Sequence, residues 1–162
     1  MQRLVSMEDQ RQTMAVLAEK AAMVFEVVST DVELGVHLCY GDAGAKHFIE
    51  PEDTHVLAQF ALQIRKAIKR PLAWVHFPVP KDRDDEAYLE PLRPLLRELD
   101  AQTDIFVGLV HANDLDGTNR RIATAKRVFG ARAFDIATEC GLGRRDAADL
   151  DSVLEIMAAC SK

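Results

Sequence analysis

Four short apolar runs recur along the chain, Leu34–Tyr40, Leu72–Val79, Asp104–His111 and Ala133–Glu139, each set apart from the next by a segment of helical length. Each run is too short for a helix and is apolar at consecutive rather than alternate positions, the pattern of a strand buried on both faces. Between them, Asp53–Lys69 gathers Leu57, Phe60, Ala61, Ile64 and Ile68 on one side, with Asp53 or Thr54 as the expected N-cap. Asp84–Leu99 does the same with Tyr88, Leu92, Leu95, Leu96 and Leu99, although Pro91 and Pro94 should kink or split that helix. Gly117–Phe129 and Asp149–Cys160 complete the alternation. Strands joined through helices form a parallel sheet by right-handed crossovers, so the expected class is α/β.

A leading helix is expected over residues 7–29, where Met14, Leu17, Ala21, Val24, Phe25 and Val28 recur at three- and four-residue steps as one buried stripe. The chain then divides into a leading segment, 1–30, and four βα units, 31–162, within a single domain. Two parallel architectures accommodate such units, an open doubly wound sheet and a (β/α)8 TIM barrel. No GxGxxG fingerprint follows the first strand, which removes the main support for a dinucleotide-binding sheet. The expected fold is therefore four parallel βα units, equal to about half of a (β/α)8 barrel.

The net charge of −6 comes from acids and bases mixed along the chain with no basic block, so nucleic acid is not an expected partner. No stretch reaches the roughly 18 apolar residues that a membrane span requires, and residues 1–12 lack the pattern of a leader, which together predict a cytoplasmic protein without membrane contact. At 162 residues the chain can bury a core without a stapling metal, so a bound metal would serve chemistry. The three cysteines, Cys39, Cys140 and Cys160, are an odd set without disulfide-like spacing, consistent with free thiols or metal ligands in a reducing compartment.

Barrels of this class place functional groups at the C-terminal ends of their strands. The first run ends His37-Leu38-Cys39, where the two-residue strand period puts both polar side chains on one face. The second carries His76, the third ends at His111, and the fourth ends Glu139-Cys140 before Gly141. One buried cysteine or histidine is usually a packing residue, but four strand ends bearing them point to a shared site. Thiolate together with imidazole is zinc chemistry by ligand softness. Elsewhere, His47 and His55 are expected at the surface and Cys160 in packing with Val153, Leu154 and Met157. Lys81–Glu86 is read as a solvated helix start favoured by the helix dipole, and Arg144 and Arg145 as able to meet an anion or water.

At these residues the chain resembles the cobalamin-independent methionine synthase superfamily, the group related to uroporphyrinogen decarboxylase, over the C-terminal part of the catalytic barrel. The resemblance runs from about Glu33 to Lys162 and rests on Val36-His37-Leu38-Cys39-Tyr40, similar to the family's HxCY strand end, and on Cys140-Gly141-Leu142 followed by Arg144 and Arg145. It implies zinc held by His37, Cys39 and Cys140, activation of homocysteine or a similar thiol as thiolate, and methyl transfer from a methylfolate-type donor. It also implies a general-acid role for His111. His76 stands where the family has a zinc-binding Glu, and is the expected fourth ligand. A whole barrel of about 250 residues has eight strands against the four here, so a homodimer or a complementary half-barrel chain is the expected partner, and activity is expected to need it. The alternatives are a metal-binding or assembly module without catalysis, and a metal-free lyase or hydrolase using His111 and Glu139.

Overall fold

The computed structural model describes residues 7–43 and 46–161, apart from the side chains of residues 7, 42, 43, 46, 47 and 144. In chain order the elements are α1 (Met7–Phe25), β1 (Gly35–His37), β2 (Asp42–Ala43), β3 (Lys46–His47), α2 (His55–Ala67), β4 (Trp74–Pro78), α3 (Glu86–Leu89), α4 (Leu92–Glu98), β5 (Asp104–Val110), α5 (Leu115–Phe129), β6 (Asp135–Thr138) and α6 (Leu150–Cys160). All four expected strands form and lie parallel in one sheet of order β1-β4-β5-β6, while β2 and β3 make a small antiparallel hairpin. That hairpin was not expected: Gly41–Gly44 reads as a plain turn in sequence, yet Asp42 pairs with His47, and the Phe48 N–H bonds to the Gly41 carbonyl at 3.1 Å beside them.

Strand order follows chain order, so every crossover advances in the same direction and the helices collect on one side. This is the singly wound, half-barrel-like form of an α/β sheet. The helix side is apolar: Val36, Val75, Phe77, Ile105, Val107 and Leu109 pack against Leu57, Ala61 and Ile64 of α2, Leu92 and Leu95 of α4, and Val128 of α5 in one buried cluster. Paired residues share a face, so the register Gly35↔Trp74↔Asp104 and His37↔His76↔Phe106 defines the other, concave side. No described helix covers it.

Pro91 does split the third helical segment. It stands before α4 with φ −63, Asp85 caps α3 by accepting from the Tyr88 N–H, and Pro94 falls in the first turn of α4, where a missing N–H costs nothing. Asp53 acts at the start of α2, its carboxylate 2.7 Å from the His55 N–H, whereas the Thr54 hydroxyl turns away to the Tyr88 carbonyl. α5 begins two residues earlier than expected because Asp114 accepts from the Gly117 N–H.

Two expectations need correction. The buried stripe of α1 runs through Ala18 and Ala22, with Leu17 and Val24 exposed, because α1 lies close against α2 and small side chains permit that approach. The helix also ends at Phe25 instead of residue 29, and residues 1–6 of the leading segment lie outside the described residues. The Lys81–Glu86 run is more than a solvated helix start. Asp84 pairs with Arg120 and Glu86 with Arg127, while the buried Arg121 donates to the Lys81 and Leu109 carbonyls and to Asp114. These contacts pin the loop after β4 to α5 at the end of the sheet where the strand-end residues gather.

Candidate metal centre

His37 closes β1, and the pleat carries it and Cys39 to the concave side while Leu38 between them enters the core. The Leu38 N–H bonds to the His76 carbonyl at 3.1 Å, which extends the ladder past the end of β1 and fixes where Cys39 projects. Cys140 arrives by a longer route. In a flat sheet β1 and β6 stand three strand spacings apart, about 14 Å, yet Cys140 Sγ lies 3.8 Å from His37 Nε2. Sheet curvature and an inward step of the chain after β6 close that gap.

The inward step has a visible cause. Between Val107 and Val110 the β5–β6 register slips, and beyond it the chain passes so close over Gly108 that a Cβ there would sit 2.7 Å from Glu139 Cα. The Thr138 carbonyl then reaches His76 Nε2 on β4, 3.0 Å away. Gly108 is thus the place where the end of β6 crosses β5, and His76 is where it is caught.

The ligand atoms of His37, Cys39 and Cys140 all lie within 4.8 Å of one another, and neither cysteine is in a disulfide. A tetrahedral ion bound about 2.3 Å from sulfur and about 2.0 Å from nitrogen holds its ligand atoms roughly 3.5 Å apart, so this group can take a metal ion once its ligand atoms draw together by about 1 Å. Comparison with protein-family models, with curated proteins and with solved structures returned no match. The centre is read on its own geometry.

His76 belongs beside this group, not within it. Its Nδ1 is 2.6 Å from His37 Nδ1, with the two rings 27° from parallel, and its Nε2 faces the Thr138 carbonyl. A carbonyl only accepts, so Nε2 carries the proton. Burial, and secondarily the neighbouring His37, push the His76 pKa down to about 4, so the ring is neutral near pH 7 and its Nδ1 is an acceptor. His37 must then donate from Nδ1, which leaves the lone pair of its Nε2 directed at Cys140.

His111, the expected general acid, is set differently. It is 5% exposed, its Nε2–H donates to the Val79 carbonyl at 2.8 Å, and burial pushes its pKa down to about 4 even though that hydrogen bond acts the other way. The charges around it are Arg121, Arg145 and Lys81, and it does not line the cleft beside the cysteines. His55 is exposed as expected, and the side chains of His47 and Arg144 lie outside the described residues. Cys160 packs with the small cluster of Val110, Ala112, Val153 and Ile156, but Leu154, expected on that side, is exposed.

Sequence reasoning passed over the floor of the site. A cleft of 550 Å³ runs from His37, His76 and Cys140 down the concave face to Trp74, Phe106 and Asp104. Trp74 lies over Gly35, where any side chain would collide with the indole, and meets Phe106 edge to face with centroids 6.2 Å apart. The signal was present: the two-residue period that places His76 inward places Trp74 there also. Beside the strand ends, the Tyr40 hydroxyl meets that of Tyr88 at 3.2 Å and donates to the Asp53 carbonyl. Burial raises the Tyr40 pKa to about 12, so this tyrosine is a neutral brace at the site's edge. No described helix is long and apolar enough to cross a membrane.

Proposed function

We propose that this chain is a zinc-dependent thiol methyltransferase-like protein whose metal is held by His37, Cys39 and Cys140. The observation that carries the reading is the convergence of two thiols and one imidazole from opposite edges of the sheet onto one ion-sized space. Two sulfurs and one nitrogen suit zinc by softness, and three protein ligands leave a position for an exogenous one, the arrangement of a working site and not of a closed structural one. Zinc bound there would hold a substrate thiol such as homocysteine as its thiolate at neutral pH, ready to accept a methyl group from a methylfolate-type donor.

The residues of this chain supply the rest of what such a site needs. Cys39 and Cys140 offer negative charge to the cation, His37 offers a lone pair whose direction is set by His76, and the cleft leads from the exogenous position along Trp74 and Phe106. The concave face is open, and a second copy or a complementary half-barrel chain would close it and exclude water from the thiolate. His111, bonded to the Val79 carbonyl, is not poised to donate a proton into the cleft. That placement favours a second reading, a metal-binding or assembly module that holds the ion without turnover.

Metal analysis of the purified protein tests the first clause: one tightly held zinc per chain is expected, lost in Cys39→Ser and in Cys140→Ser with folding unchanged. Wild-type protein that folds and holds no zinc from a zinc-buffered solution would overturn it. Supplying homocysteine and a methylfolate then separates the two readings, since methyl transfer marks the enzyme and zinc-loaded inactivity in every oligomer marks the module.

A further inference from the structure

We infer that His76 is a positioning residue that locks the tautomer of His37 from outside the coordination sphere, leaving the metal with three protein ligands. The inference rests on the metal reading above and deepens it by specifying how the imidazole ligand is prepared and how many positions stay open.

The argument is one of proton counting. Each neutral imidazole carries one N–H and one lone pair. The Thr138 carbonyl, 3.0 Å from His76 Nε2, can only accept, so the proton of His76 is committed there. His76 Nδ1 is therefore a lone pair, and it faces His37 Nδ1 at 2.6 Å. Two lone pairs at that separation would repel, so the His37 proton sits on Nδ1 and its Nε2 is stripped for the ion. Both nitrogens of His76 are then occupied, one by the carbonyl and one by His37, and neither is available to a metal. Metal-bound histidines commonly donate their second ring N–H to an acceptor that fixes their orientation, and His76 is that acceptor here.

The chain of contacts also joins the two halves of the site. The Thr138 carbonyl belongs to the segment that delivers Cys140, and His37 belongs to the segment that delivers Cys39. A single ring between them sets the His37 tautomer and fixes the approach of the Cys140 segment. A three-ligand site keeps its fourth tetrahedral position for an exogenous thiol, which a fourth histidine ligand would occupy.

The test begins with metal-free protein, so that it does not depend on zinc being bound. Nitrogen-resolved NMR of the histidine rings should show His37 protonated on Nδ1 and His76 on Nε2, and a His37 ring protonated on Nε2 would overturn the inference even if the protein binds zinc. X-ray absorption of the zinc-loaded protein should show one imidazole and two sulfurs from the chain, whereas two imidazoles would overturn it. His76→Ala should weaken zinc binding by roughly 10- to 100-fold. His76→Gln, whose amide keeps one acceptor and one donor, should restore most of that loss. Equal zinc affinity in wild type and His76→Ala would sink the positioning role while leaving the metal reading standing; wild type without zinc but with the stated tautomers would do the reverse.

Discussion

The two faces of this sheet are built from different chemistry, although they alternate residue by residue along the same strands. On the convex face Val75, Phe77, Ile105 and Val107 are at most 1% exposed beneath the helices. On the concave face the same strands present Trp74 and Phe106, half-buried, and the exposed Asp104, with Asp135 in register beside Phe106 on the next strand. Burial of apolar area under α2, α4 and α5 holds the fold, so the concave face carries groups that a closed core would reject unless paired. Two histidines make the contrast specific. His76 and His111 each donate Nε2–H to a carbonyl and each titrate near 4, yet one shares register with His37 and lines the cleft, while the other lies past the β5–β6 register slip and does not line it. Local chemistry is alike, and position in the sheet decides which of them can serve the centre.

The sharpest way to break this comparison is to empty each face in turn. Phe77→Ala, on the convex face, should cost about 4 kcal/mol by cavity formation. Phe106→Ala, on the concave face, should cost less than half as much because solvent can fill the space it leaves. Chemical denaturation measures both, and equal losses would mean the concave face is also a structural core.

Gly108→Ala addresses the crossing of the end of β6 over β5. The new methyl group would press on backbone 2.7 Å away, which flexible side-chain movement cannot relieve. A loss of about 2 kcal/mol in stability is expected from such overpacking, accompanied by weaker zinc binding as Cys140 is pushed away from His37. Undiminished zinc affinity in a folded variant would show that Cys140 reaches the site by another path.

A further contrast is electrostatic and is spread over a range of pH. His76 and His111 both lie below the ordinary value of 6.5 in the folded protein, at about 4. Between those values the unfolded chain binds more protons than the folded one, so stability should decline as pH falls through that window and level off below it. Denaturation midpoints of metal-free protein across the window measure the slope, and His111→Gln should reduce it. A midpoint that rises toward acid would contradict the burial of both rings.

The architecture was legible because periodicity is a local property. Short apolar runs such as Leu72–Val79 and Asp104–His111 read as strands, and the helical stripes between them leave only a parallel sheet; the expected burial on both faces holds for the convex side alone, since no described helix covers the concave one. His37 and Cys39 could be paired on one face for the same reason, since a strand's pleat follows from the backbone alone. The stripe of α1 was legible in part: Met14, Ala21, Phe25 and Val28 are half-buried as expected, but periodicity orients a helix only to within a residue or so, and Ala18 and Ala22 are buried where Leu17 and Val24 are exposed.

What remained hidden depended on distance through space. The grouping of Cys140 with His37 and Cys39 was expected from the strand ends and the resemblance, but not how it is reached: the 3.8 Å approach to a histidine 103 residues away rests on a bulge in β5, a glycine beneath Glu139 and curvature summed over the sheet. Likewise, a histidine can be metal ligand or buttress with the same neighbours in sequence. Which of its nitrogens holds the proton is decided by the Thr138 carbonyl, delivered from another strand. Composition and period therefore determined the sheet and the faces of its residues, while packing between strands determined which of those residues meet.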